Sequence, residues 1–208
     1  MINLEVEFDK AKYADLMRKV GLLANEKEIN KAIGKGAKKA ADDAKKETVK
    51  QLLSGYTISG SELKSAIKTR KTSGGEAGAV MNIPSGAIPL YQFEGVTPRE
   101  VMPPAKGPVR VAVKQSGGAN LSRSFVAKMP SGHIGVYERE GGKRRDKDSH
   151  GRLKNSGPEK DHIHELFGPS IAGMFGREKE TEINIAAREK AMETLEKHVI
   201  NELEKLLK

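Results

Sequence analysis

The sequence predicts an α+β fold: a mostly antiparallel sheet packed by a long N-terminal-half helix and a long C-terminal helix. Three observations predict it. Residues 26–54 keep one helical apolar period, residues 76–140 break into short segments separated by Gly and Pro, and residues 177–207 return to helical spacing. A length of 208 residues fits one domain over 1–208, with helices about 10–54, sheet about 76–140, a mobile basic loop at 141–161 and a final helix about 177–207.

Asp9 is placed to cap a short first helix reaching Lys19, with Tyr13, Leu16, Met17 and Val20 on one face. Asn25 opens the second helix, and Glu28 completes a capping box, each residue satisfying a free backbone N–H of the other. Along that helix Ile29, Ile33, Ala37, Ala40, Ala44 and Leu52 form a narrow stripe. Gly34 and Gly36 each weaken it by roughly 1 kcal/mol relative to Ala. A stripe of alanine and glycine lets a neighbouring backbone come close. The remaining faces carry Lys31, Lys35, Lys38, Lys39, Lys45, Lys46 and Lys50, and a charge run of this kind reads first as a solvated face. Gly55 ends the helix.

The segment SELKSAIKTRK begins with a further helical turn and ends extended. Strands are expected at 76–83, 88–93, 109–115, 124–129 and 133–139. Val109, Val111 and Val113 alternate with Arg110, Ala112 and Lys114, the pattern of a half-buried strand. MPSGH (129–133) is a tight connection, so the last two strands form a hairpin. Residues 97–108 hold four prolines and read as an irregular loop. Residues 141–161 lack any apolar period and read as a mobile loop with seven basic and four acidic side chains. In the last helix Ile185, Met192, Leu195, Val199, Leu203 and Leu206 make one stripe, able to pack on the sheet or on another subunit.

Formal net charge is +9, and it is unevenly spread. Residues 1–75 hold 16 basic and 10 acidic side chains, 76–160 hold 14 and 8, and 161–208 hold 7 and 10. A basic body attracts polyanions without reading sequence, and an acidic C-terminal arm suits head-to-tail pairing between copies. With no Cys, disulfides, thiolate metal sites and cysteine nucleophiles are excluded. The start, MINLEVEFD, has neither a basic n-region nor an apolar h-region, so no secretory signal is expected. No apolar run approaches the roughly 18–20 residues of a membrane span, so no membrane partner is expected.

Catalytic constellations are not evident. Gly34-Lys35-Gly36 lies within a helix and lacks phosphate-loop spacing, and Gly168-Pro169-Ser170 lacks the second glycine of a nucleophile elbow. His162 and His164 share one side of a strand, yet a zinc site needs a third ligand that the neighbourhood does not supply. His133 is expected to hydrogen-bond backbone at its turn. Asp42/Asp43 and Asp146/Asp148 are expected in local ion pairs. Phe125 and Tyr137 are expected in the core rather than stacked on bases. No enzyme, metal or cofactor is expected.

Two segments carry a resemblance. SGHIGVYEREGGKRR (131–145) is a strand leading into a Gly-rich basic turn, and HELFGPSIAGMF (164–175) leads by a turn into the final helix. With an early basic helix and a terminal Leu-rich helix, they resemble the prophage minor tail protein Z family, related to phage tail-completion proteins. The closely matching text is about 25 residues, with ELFGPSI its most specific part. Here Asp146 to Asp161 intervene where the family passes almost directly to ELFGPS, and DHIH replaces a basic-apolar lead.

The resemblance implies a structural virion protein at the head-proximal end of the tail, made in the bacterial host cytoplasm and supporting head–tail joining. It implies a ring, sixfold where it matches the tail tube, with tube, terminator and head-connector proteins as partners and phage DNA passing non-specifically. The alternative is a nonspecific nucleic-acid-binding protein. The candidate DNA-facing residues are Lys143, Arg144, Arg145, Lys147, Arg152 and Lys154. The candidate assembly surface is Leu195, Val199, Leu203 and Leu206.

Overall fold

The computed structural model describes residues 2–7, 14–22, 24–72, 78–101, 108–144, 160–176 and 181–207. They form two compact units, one of Met1–Ser54, Gly60–Gly86 and Pro169–Lys208, the other of Gly55–Ser59 and Ala87–Gly168. Among the described residues every strand pairing is antiparallel, and the fold is α+β as the sequence predicts.

The first unit begins with β1 (Ile2–Glu7), α1 (Ala14–Gly21) and α2 (Glu26–Gly55). It continues with α3 (Gly60–Ala66), β2 (Lys68–Lys71) and β3 (Gly78–Ile83), and closes with α4 (Ile171–Phe175) and α5 (Glu182–Glu204). The sheet order is β1-β3-β2. Strand β1 was not expected from sequence. Its signal is the alternation of Ile2, Leu4 and Val6 with Asn3, Glu5 and Glu7, a half-buried edge pattern. The capping box forms as read: Glu28 N donates to Asn25 Oδ1 at 3.0 Å, and Asn25 N to Glu28 Oε2 at 3.2 Å. Asp9 and Tyr13 lie outside the described residues.

The alanine stripe of α2 is core. Ala37, Ala40, Ala41 and Ala44 are fully buried with Ala79 of β3 and Ala191 of α5. A Cβ built on Gly36 would meet Val199 Cα at 2.6 Å and Val199 N at 2.7 Å, so α5 sits against bare α2 backbone there. Above this crossing Val20, Ile29, Ile33, Val199 and Leu203 form a second cluster, with Leu16, Met17, Leu195 and Leu206 packed on it. The assembly surface read from sequence is therefore corrected. Val199 and Leu203 are fully buried, and Leu195 and Leu206 lean on the same cluster, because this part of the α5 stripe completes the core of its own unit; Ile185 and Met192 of the expected stripe are exposed instead.

Helix α5 is also shorter than expected. Residues 177–180 lie outside the described residues, Thr181 Oγ1 accepts from Asn184 N at 3.3 Å as the cap, and the helix ends at Glu204. Leu206 and Leu207 then bond three residues back, which tightens the end into a turn.

The second unit contains β4 (Ile88–Pro89), β5 (Gly95–Thr97), β6 (Val109–Lys114) and β7 (Gly117–Leu121). It also contains β8 (Ser124–Lys128), β9 (Ile134–Arg144), β10 (Lys160–Glu165) and β11 (Phe167–Gly168). The sheets are small, in the orders β10-β9-β8, β5-β6-β7 and β11-β4. The β8–β9 hairpin turns where predicted, with Met129 N donating to His133 O at 2.7 Å and Gly132 at φ +87. Phe125 and Tyr137 face each other across it, both buried, with ring centroids 6.3 Å apart.

Three expectations change here. The 88–93 strand shortens to two residues followed by a single 3-10 turn, Leu90–Gln92. Arg99 fixes that turn, donating to the carbonyls of Phe93 (2.9 Å) and Tyr91 (3.0 Å) and lying 4.7 Å over the Tyr91 ring. The start of the proline-rich segment is ordered, since Thr97 pairs with Arg110 in β5–β6. The ends of the expected 141–161 loop are strand instead: β9 runs on to Arg144 and pairs Lys143 with Asp161 and Arg144 with Lys160, and residues 145–159 lie outside the described residues. A backbone ladder needs no apolar period, which is why the sequence pattern missed it.

Candidate functional site

Residues that could carry chemistry are placed as follows. His162 and His164 alternate on β10 as read, and His164 Nε2 lies 3.9 Å from Glu138 Oε2. Among the described residues no group of three His, Cys, Asp or Glu is arranged to hold a metal ion. His133 is corrected: its ring Nε2 meets Glu165 Oε1 at 2.7 Å, a side chain rather than backbone, because β10 returns beside the hairpin. Lys143 and Arg144 end β9, with side chains outside the described part, and Arg145, Lys147, Arg152 and Lys154 lie outside the described residues altogether.

The basic surface that is described lies on the first unit, along α2 and its neighbours β2 and α3. Toward the N-terminal end of α2, Lys27, Lys31 and Lys71 surround Gly34 in a depression of about 440 Å³. Toward the C-terminal end, Lys45, Lys46, Lys50 and Lys64 rim a groove of about 900 Å³ whose wall includes Val49 and Leu53. Lys27 to Lys50 spans roughly 35 Å of helix, about the axial length of ten base pairs. The sequence shows each of these lysines. It does not show that the edge strand KTRK and the last turn of α3 add Lys64, Lys68 and Lys71 to the same side.

The carboxylates within this surface are occupied by their neighbours. Lys38 Nζ holds Asp42 at 2.8 Å, and the Thr69 hydroxyl donates to the other oxygen of that carboxylate. Lys46 Nζ reaches Asp43 at 2.7 Å, and His198 Nε2 of α5 meets the same carboxylate at 2.7 Å. Burial raises the Asp43 pKa, but hydrogen bonds from Lys46 and His198 outweigh it and hold the group below its ordinary value. Lys45 donates to a carbonyl, Lys64 O, at 2.7 Å. Burial and then the charge of Lys68 push the Lys45 ammonium below its ordinary pKa, while Asp42 opposes them. The balance is a positive surface on which an incoming anion relieves like-charge repulsion.

Also between α2 and α5, Glu202 is 7% exposed and bridges Lys205 at 2.5 Å and Lys39 at 2.7 Å. Hydrogen bonds from Lys205 and then Lys39 lower its pKa to about 2 against the burial that raises it. This triad joins α2 to α5 and reads as structural.

Among the described residues no helix is long and apolar enough to cross a membrane. No protein-family model matches the chain, and neither a curated protein nor a solved structure matches it.

Proposed function

We propose that the chain is a structural protein of a phage tail that completes its head-proximal end and supports head–tail joining as a ring around the DNA path. The observation that carries the reading is the likeness of residues 131–145 and 164–175 to minor tail protein Z sequences. The lysine surface along α2 supports it, because a ring around passing DNA gains from positive charge that contacts phosphate without reading bases. Among the described residues, Lys27, Lys31, Lys68 and Lys71 join Lys143, Arg144, Arg145, Lys147, Arg152 and Lys154 as candidates for the DNA side. The proposed partners are further copies of the chain, tail tube and terminator proteins and head-connector proteins, and the proposed location is the virion tail.

The test is imaging of tails assembled with labelled protein. Label at the head-proximal end supports the reading. Label along the whole tube, at the distal tip or absent from particles sinks it. The same lysine surface also favours the second reading, a nonspecific nucleic-acid-binding protein. That reading gains if the monomer binds duplex DNA with a steep loss of affinity as salt rises and no label enters particles.

A further inference from the structure

The two ends of the α2 basic surface differ chemically. The depression around Gly34 has a lysine rim suited to phosphate. The groove by α3 adds Val49 and Leu53, with Leu53 37% exposed among Lys45, Lys46, Lys50 and Lys64. A phosphate chain has no use for apolar wall. The groove matches a surface that presents a large apolar side chain within a ring of carboxylates.

One described surface of this chain has that composition. Met192 of α5 is 75% exposed, the most exposed large apolar side chain of that helix. Glu189, one turn before it on the helix, is exposed, while Glu193, also exposed, is held by Lys190 at 2.8 Å. Edge strand β1 adds Glu5 and Glu7 across a shallow depression of about 370 Å³ that Met192 and Arg188 also line. Phe167 (53%) and Val101 (52%) are less exposed than Met192, and Leu22, at 81%, stands beside exposed Arg18 and Lys19, whose charge matches that of the groove rim and repels it.

We infer that the α2–α3 groove is the docking site for a second copy of this chain, which inserts Met192 with its surrounding glutamates. Groove and ridge are different surfaces of one unit, and joined head to tail, as a heterologous contact, they leave a free groove at one end and a free ridge at the other. Leu53 receives the methionine with Val49 beneath it, and the lysine rim meets Glu5, Glu7 and Glu189. The contact deepens the tail-completion reading by naming the surfaces that a ring would use. It rests on that reading only for its biological setting.

A heterologous contact is tested by complementation, using the full-length chain and sedimentation at up to about 1 mM protein, in low and in physiological salt. Leu53→Glu blocks the groove and Met192→Glu blocks the ridge. Both side chains are exposed, and the pair Lys50→Glu with Lys64→Glu serves as a second groove variant should Leu53→Glu melt early. Wild type is expected to self-associate less as salt rises, and each variant alone to bind itself at least about tenfold more weakly. An equimolar mixture of groove-blocked and ridge-blocked protein is expected to form a heterodimer and nothing larger. A wild type that stays monomeric throughout overturns the inference, as does either variant associating like wild type or a monomeric mixture. Complementation without label on tails would sink the tail reading and leave this contact standing. Label on tails with no complementation would do the reverse.

Discussion

The two flanks of α2 differ in what they require of a neighbour. Toward α5 the helix offers Gly36, Ala37, Ala40 and Ala44, and the neighbour comes close enough that Val199 backbone occupies the space of a missing Cβ. Toward β2 and α3 the same 30-residue helix offers lysines, and its nearest glycine, Gly34, has only Lys71 Cδ at 3.6 Å and Gly78 O at 4.0 Å nearby. One flank is specified by shape and tolerates no added atom. The other is specified by charge and leaves space. Composition alone does not separate them, since both carry glycine two positions apart.

The largest effect that would break this comparison is at Gly36. Helix propensity favours Gly36→Ala by about 1 kcal/mol. The structure sets against it a methyl at 2.6 Å from backbone, which no side-chain rotation relieves. Forcing α5 away loosens both alanine and valine contacts, so a net loss of about 2–3 kcal/mol is expected in urea or thermal unfolding. A neutral or stabilising Gly36→Ala would mean that the α2–α5 approach is looser than described.

Next in size is the ionic tie on the same flank. Glu202 has a folded-state pKa of about 2 against an ordinary 4.5, so its contribution is fully present above pH 4.5. It is lost as pH falls from about 4.5 to about 2. The shift alone would correspond to about 3 kcal/mol, but Lys39 and Lys205 are half exposed and water screens them, which brings the expected value to about 1–2 kcal/mol. Glu202→Gln is expected to be less stable by that amount at pH 7 and to converge with wild type near pH 2. A gap between the two proteins that is unchanged at pH 3 and pH 2 would assign the loss to packing instead of charge.

What the sequence made legible follows from the range of each signal. The capping box at Asn25 and Glu28, the alanine stripe and the turn at Gly132 are local, and all three are found where the residues place them. The stripe of α5 was equally legible, but its destination was not. Leu195 and Leu203 look alike whether they meet their own α2 or another subunit, and only the fold shows Val199 and Leu203 fully buried. Strand β1 and the far end of β9 were missed for opposite reasons: six residues are a short window for alternation, and a ladder that steps past Gly141 and Gly142 at a register shift has no apolar period at all. At the candidate site the lysines of α2 were plain. The contribution of β2 and α3 was not, since it depends on which side of α2 they pack.

The smallest effect sharpens the comparison through its sign. Gly34 lies in α2 two residues before Gly36, is buried, and would place a Cβ in ordinary contact with the flexible end of Lys71. Alanine there removes the backbone entropy penalty of a mid-helix glycine, and the lysine chain has freedom to shift. Gly34→Ala is therefore expected to stabilise by about 0.5–1 kcal/mol, a rise of about 1–4 °C in Tm for a chain of this size. The lysines should keep their affinity for duplex DNA, because the ammonium of Lys71 lies beyond the contacting Cδ. If Gly34→Ala destabilises as Gly36→Ala does, both flanks of the helix are packed by shape, and the depression between Lys27, Lys31 and Lys71 is not open space for a phosphate. If it stabilises while DNA affinity falls, the methyl has displaced Lys71 from the anion, which places that lysine in the contact.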